Sequence, residues 1–195
     1  MLSKKIETLL NKQINHEFTA AYHYLSMKAW FETANLSGFA NWMQHQAVEE
    51  LEHAMKLFQF VCDRGGQVRL DSVDKPAGTY KTARDVFARA TQLEKSNTKS
   101  INDLYAAAVA EQDYATESHL KWFIDEQVEE EKTTREIEEL LDIAGDSVLF
   151  ASAAAVLAEQ LVPTDRIPPA GFGTSMHTTD PRVAKITELE ASTRT

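Results

Sequence analysis

Residues 46–56 read QAVEELEHAMK, and the way this stretch is read decides the fold. Glu49, Glu50 and Glu52 crowd into four positions, with His53 directly behind them. Trp42 and Met43 precede the acids, and Leu57, Phe58 and Phe60 follow, so the charges sit inside an apolar helical pattern. In steps of three or four residues, the apolar stripe runs Phe39, Trp42, Met43, Gln46, Glu50, His53, Leu57, Phe60. Glu50 and His53 therefore lie on the face that a helix buries. Glu49 stands about 100° around the helix at the margin of that face, and Glu52 points to water.

Three other segments repeat the pattern. The first stripe is Ile6, Leu10, Ile14, Glu17, Ala21, Tyr24. The third is Val86, Ala90, Glu94, Asn97, Ile101, Leu104, and the fourth is Leu120, Phe123, Gln127, Glu130, Thr134, Ile137, Leu141. The four segments span about 3–34, 38–65, 83–111 and 114–144. Asn35 to Ser37 break the first pair, Gly65 and Gly66 stop the second helix, and Asp113 starts the fourth. Residues 67–82 hold Pro76 and Gly78 and form one long connection. A shorter, Ala-rich helix is expected at about 147–160. With only 7 Gly and 5 Pro in 195 residues, and 43% of residues hydrophobic, the reading is all-α. It is a four-helix bundle with one long crossover plus a short fifth helix, the ferritin-like connectivity.

Each helix thus carries a carboxylate on its apolar face. An unpaired buried carboxylate costs several kcal/mol, and four in one core would repel one another. No Lys or Arg lies on the stripes near those positions, so the cation that makes them tolerable is expected to be a metal. Glu50 and His53, three residues apart, can reach one ion. Four carboxylates can neutralise two divalent ions, with Glu50 bridging. Oxygen plus imidazole without thiolate suits iron or manganese, and zinc less exclusively.

The ordered set NHEFTAAYHYL (15–25), AVEELEHAMKLF (47–58), QLEKS (92–96) and LKWFIDEQVEEEK (120–132) resembles the bacterial non-haem ferritins over about residues 1–162. The resemblance implies an iron-storage ferroxidase that oxidises Fe(II) with O2 at a two-iron centre. Glu17, Glu50 and His53 would bind the first iron, and Glu50, Glu94 and Glu130 the second. Gln127 would lie close by, and Tyr24 would act as a hydrogen-bond partner or one-electron donor. A third iron site would use Glu49, Glu126, Glu129 and Glu130. The family further implies a hollow homo-oligomeric shell of 24 subunits around an iron mineral, with the fifth helix at the four-fold axes. Two positions depart from bacterioferritins: Gln127-Val128-Glu129-Glu130 lacks their second Glu-x-x-His, and Leu51 replaces their haem-binding Met, so no haem is expected.

The formal charge of −10 disfavours nucleic acid and anionic membranes as partners and attracts cations. The basic start MLSKKIETLLNK has no apolar run behind it, and no stretch is apolar enough to span a bilayer, so a cytoplasmic location is expected. Cys62, the only cysteine, is expected to be a small buried thiol, and His16, His23, His45, His119 and His177 are expected at the surface or an interface. Residues 163–195 hold four of the five prolines and read as a flexible extension, or one in which Val183–Leu189 docks on a neighbouring subunit or another protein. The alternative function is a non-storage di-iron oxidase or peroxidase on the same bundle; a non-catalytic helical scaffold is a further rival.

Overall fold

The computed structural model describes residues 2–76 and 78–144. Four helices follow in order: α1 (Lys4–Thr33), α2 (Ser37–Asp63), α3 (Ala83–Ala110) and α4 (Tyr114–Ala144). No strand occurs among the described residues. The expected fifth helix at 147–160 and the extension 163–195 lie outside the described residues.

Local sequence sets the helix ends. Ser3 caps α1 by accepting a hydrogen bond from the Ile6 amide. Thr82 and Asp85 form a reciprocal capping box at the start of α3. The Asp113 carboxylate accepts from the Thr116 amide at 3.2 Å and so opens α4. Three helices close by one device. After α1, α2 and α3 the chain turns left-handed at Asn35 (φ 58°), Gly65 (φ 69°) and Gln112 (φ 56°). The next amide then reaches back five residues, as Leu36 to Phe31, Gly66 to Val61 and Asp113 to Ala108. Glycine takes this conformation without a Cβ clash; the other two positions accept a small strain for the sharp turn.

These turns fold α1 against α2 and α3 against α4, and α1 also packs on α3. Arg64, just beyond α2, makes a two-pronged ion pair with Asp113 at 2.9 and 3.1 Å, tying the end of one hairpin to the start of the other helix. The crossover is held by side chains of α1. Asn11 donates to the Gln67 carbonyl at 3.0 Å and accepts from the Arg69 amide. One turn on, Asn15 donates to the Ser72 carbonyl at 3.1 Å and accepts from the Asp71 amide at 3.3 Å. Two amides spaced four residues apart thus pair with extended backbone as a strand would.

The apolar stripes meet in two separate clusters. One gathers Tyr24, Met27, Phe31, Phe39, Trp42 and Phe87 with Ile137. The other gathers Ile6, Leu10, Ile14, Leu57, Ile101 and Phe123. Large side chains buried completely contribute about 1.5–3 kcal/mol each. Between the clusters in sequence, on all four helices, lie the buried polar residues Glu17, Glu50, His53, Asn97, Gln127 and Glu130.

Two expectations are corrected. Cys62 is exposed, because Val61 occupies the inward position and the next residue turns away from the core. His23 is buried within the chain itself, within the influence of Arg89 on α3 and Asp74 in the crossover. Asn11→Ala should release the crossover and leave two backbone groups without partners. A loss of about 1–3 kcal/mol is expected, read as a lower thermal midpoint and faster proteolysis at 67–72. An unchanged midpoint and cleavage rate would show that the clamp is not needed.

Candidate metal centre

The backbone of four helices brings three metal-capable side chains into one group. Glu17 of α1 and Glu50 and His53 of α2 each offer a ligand atom within 4.8 Å of the others, and all three are buried. His53 Nδ1 lies 3.6 Å from Glu50 Oε2, as the three-residue spacing on one helix requires. The His53 ring is set by an edge contact to Trp122 at 5.3 Å and by Phe123 at 6.0 Å. Lys56 Nζ sits 3.1 Å above the Trp122 ring and so helps to hold the tryptophan in place.

Glu50 is the residue with least support. It is wholly buried, and neither carboxylate oxygen receives a hydrogen bond among the described residues. Burial, then the charges of Glu94 and Glu17, the close approach of the Glu17 carboxyl and the charge of Glu130, push its carboxyl well above the usual carboxylate range. Glu94 is likewise pushed up from 4.5 to about 8; burial is the main cause, the Tyr24 hydrogen bond opposes it and the Glu17 charge adds to it. No lysine or arginine is among the leading influences on either group. Two oxygens without a hydrogen bond, flanked by acids and an imidazole, form a donor set that a divalent cation fits.

The other expected ligands stand around this group. Glu94 accepts from the Tyr24 hydroxyl and, at 3.2 Å, from Gln127 Nε2. Burial and then the Glu94 charge raise the Tyr24 hydroxyl well above its ordinary value, so it remains a donor. Glu130 accepts from Gln46 Nε2 at 2.9 Å. Glu94 and Glu130 thus fall outside the tight three-residue group, each drawn to its own donor, while both charges act on Glu50. Glu49 and Glu126 are buried, whereas Glu129 faces outward on α4.

Three amides to which the sequence analysis assigns no role complete the surroundings. Gln46 and Asn97 were legible as polar residues on the apolar stripes. Gln13 carries a different signal: it lies four residues before Glu17, and its Nε2 donates to Glu17 Oε1 at 2.8 Å. Asn97 Nδ2 donates to the other oxygen of Glu17, also at 2.8 Å.

A family model described as the ferritin-like domain matches residues 7–144. A bacterial non-heme ferritin of Bacteroides fragilis is 37% identical over 150 residues, covering 77% of this chain and 94% of its own. One from Staphylococcus haemolyticus is 38% identical over 146 residues, covering 75% and 88%. The open pore ferritin from the hyperthermophilic archaeon Archaeoglobus fulgidus superposes with a TM-score of 0.80 at 39% identity, covering 82% of this chain and 98% of its own. A four-helix bundle with a buried carboxylate–imidazole group and these relatives defines the class. The chain belongs to the ferritin family.

The raised carboxyls carry a pH signature in the metal-free protein. Glu94 keeps its proton in the fold when the unfolded chain has lost it. Its stabilisation is complete below about pH 4.5 and is lost as the pH climbs to about 8. Asp113 and Asp142, shifted downward from 3.8, are ionised in both states across this window and add no slope. His23 and His119, lowered from 6.5 mainly by burial, act in the opposite sense over this window. The expected outcome is therefore a difference: between about pH 5 and pH 8 the thermal midpoint of metal-free protein should fall more, or rise less, than that of Glu94→Gln. The same pH profile in both proteins would show that Glu94 is ionised and compensated in the apo fold.

Proposed function

We propose that this chain is the subunit of an iron-storage shell that oxidises Fe(II) with O2 at a buried two-iron centre. The observation that carries this reading is Glu50: a buried carboxylate without hydrogen-bond donors, beside Glu17 and His53. Its family membership supports iron as the metal.

Fe(II) is the substrate. Glu17, Glu50 and His53 bind one ion, and Glu50, Glu94 and Glu130 bind the other, so Glu50 bridges. Four carboxylates lower the charge of the pair and favour Fe(III) over Fe(II). O2 takes one electron from each iron, and this two-electron reduction with two protons yields hydrogen peroxide. Tyr24 holds Glu94 by its hydroxyl, and Gln127 holds it from the other side. Glu49, Glu126, Glu129 and Glu130 form a third site through which iron moves inward to the mineral. Leu51 at the position of the bacterioferritin haem ligand supports a shell without haem. Residues 1–162 form the domain, 163–195 an extension that contacts a neighbour or another protein, and the shell works in the cytoplasm. No helix among the described residues is long and apolar enough to cross a membrane.

Assembly has its own support. Phe18, Tyr22, Leu25, Leu51, Leu70 and Val73 line a surface hollow of about 560 Å³, with Tyr22 and Leu70 50% and 62% exposed. Apolar patches of this kind mark interaction surfaces. A second copy covers this one, as the first step to a shell of 24 subunits.

Glu50→Ala should abolish fast Fe(II) oxidation, followed by absorbance after mixing with O2, while the particle keeps its size. Normal oxidation rates in that variant would refute the assignment of Glu50. Tyr22→Asp with Leu70→Asp should yield small species on size exclusion, and wild-type protein a large shell. A wild-type monomer or dimer would favour a non-storage di-iron oxidase.

A further inference from the structure

Asn97 lies in the middle of α3, is buried, and joins three helices through its side-chain amide. Its Oδ1 accepts from Gln13 Nε2 of α1 at 2.6 Å. Its Nδ2 donates to Glu17 Oε2 of α1 at 2.8 Å and to Gln127 Oε1 of α4 at 3.2 Å. Gln127 then turns its own Nε2 to Glu94, reaching Oε2 at 3.2 Å and the carbonyl at 3.4 Å, and to Thr98 Oγ1 at 3.2 Å.

The order of donors along this chain is fixed. Gln13 gives its NH2 group to both Glu17 and Asn97, and its oxygen has no donor among the described residues. Reversing Gln13 would set that oxygen against a carboxylate and a carbonyl, which repel it. Asn97 must then present its NH2 to Glu17 and Gln127. Gln127, accepting through its oxygen, must present its NH2 to Glu94. The orientation of one amide is thereby handed to the next, from Glu17 at one end to Glu94 at the other.

We propose that Asn97 is a positioning residue for the two-iron centre, fixing Glu17 directly and Glu94 through the orientation of Gln127. This rests on the two-iron reading above and extends it to a residue that touches no metal. The amides are neutral, so they orient two carboxylates without cancelling the charge that binds cations. Loss of Asn97 frees Glu17 Oε2 and removes the group that tells Gln127 which way to face. Groups that orient metal ligands by hydrogen bonding act on affinity as well as on rate.

The test uses full-length metal-free protein titrated with Co(II), whose visible band reports ligand geometry. Asn97→Leu, close in shape but without donors, should weaken Co(II) binding about 10- to 100-fold and alter the band. Ile101→Val, one turn further along the same buried face, should lower the thermal midpoint yet leave affinity and band unchanged. If Asn97→Leu does not fold, Asn97→Thr keeps one hydroxyl donor and should give a smaller loss in the same direction. Wild-type affinity and spectrum in the foldable Asn97 variant would overturn the proposal. So would an equal loss in Ile101→Val, which would reduce the effect to packing. Wild-type protein that binds no Co(II) would overturn the metal reading itself, and this inference with it.

Discussion

Mutual repulsion among carboxylates inside an apolar bundle is the constraint around which the rest of this molecule is arranged. Each unpaired buried charge costs several kcal/mol, and its neighbours of like sign raise that cost. Glu50 meets the constraint most severely: it is wholly buried, receives no hydrogen bond, and stands within the influence of Glu94, Glu17 and Glu130. The two apolar clusters and the clamped crossover supply the stability that holds such a group in place. A cation between the acids would turn the repulsion into attraction, which is the source of affinity in the proposed metal centre.

The distribution of neutral and charged partners follows from the same constraint. A lysine in the core would satisfy the acids and leave them nothing to bind. Amides and a tyrosine hydroxyl instead donate hydrogen bonds without removing negative charge. Gln13 and Asn97 hold Glu17, Tyr24 and Gln127 hold Glu94, and Gln46 holds Glu130. Glu50 alone among these acids has no such donor, which fits a ligand shared by two ions.

Much of this was legible in the sequence because burial of a helical face leaves a periodic trace. The stripes of α1, α3 and α4 are buried throughout, and that of α2 is buried from Phe39 to Leu57. The helix ends fell within a residue or two because Asn35, Gly65 and Asp113 carry local signals that need no tertiary context. The amide relay was less legible. Asn97 and Gln46 were visible on the stripes, but their donors and acceptors come from other helices, and periodicity along one helix does not register them. Gln13 fell off its stripe altogether. Cys62 and His23 were misplaced for a related reason: residue type suggests an average burial, whereas the helical angle of each position decides it. Glu94 and Glu130 stand outside the tight group, where Tyr24 and Gln127 donate to the first and Gln46 to the second, partners that lie on other helices.

The most direct measurement is anomalous X-ray scattering from crystals of the full-length protein soaked with Fe(II) without oxygen. The account predicts two strong iron peaks per chain inside the bundle, one touching Glu17, Glu50 and His53, the other Glu50, Glu94 and Glu130. Iron confined to the acidic surface, with no metal at Glu50, would contradict it.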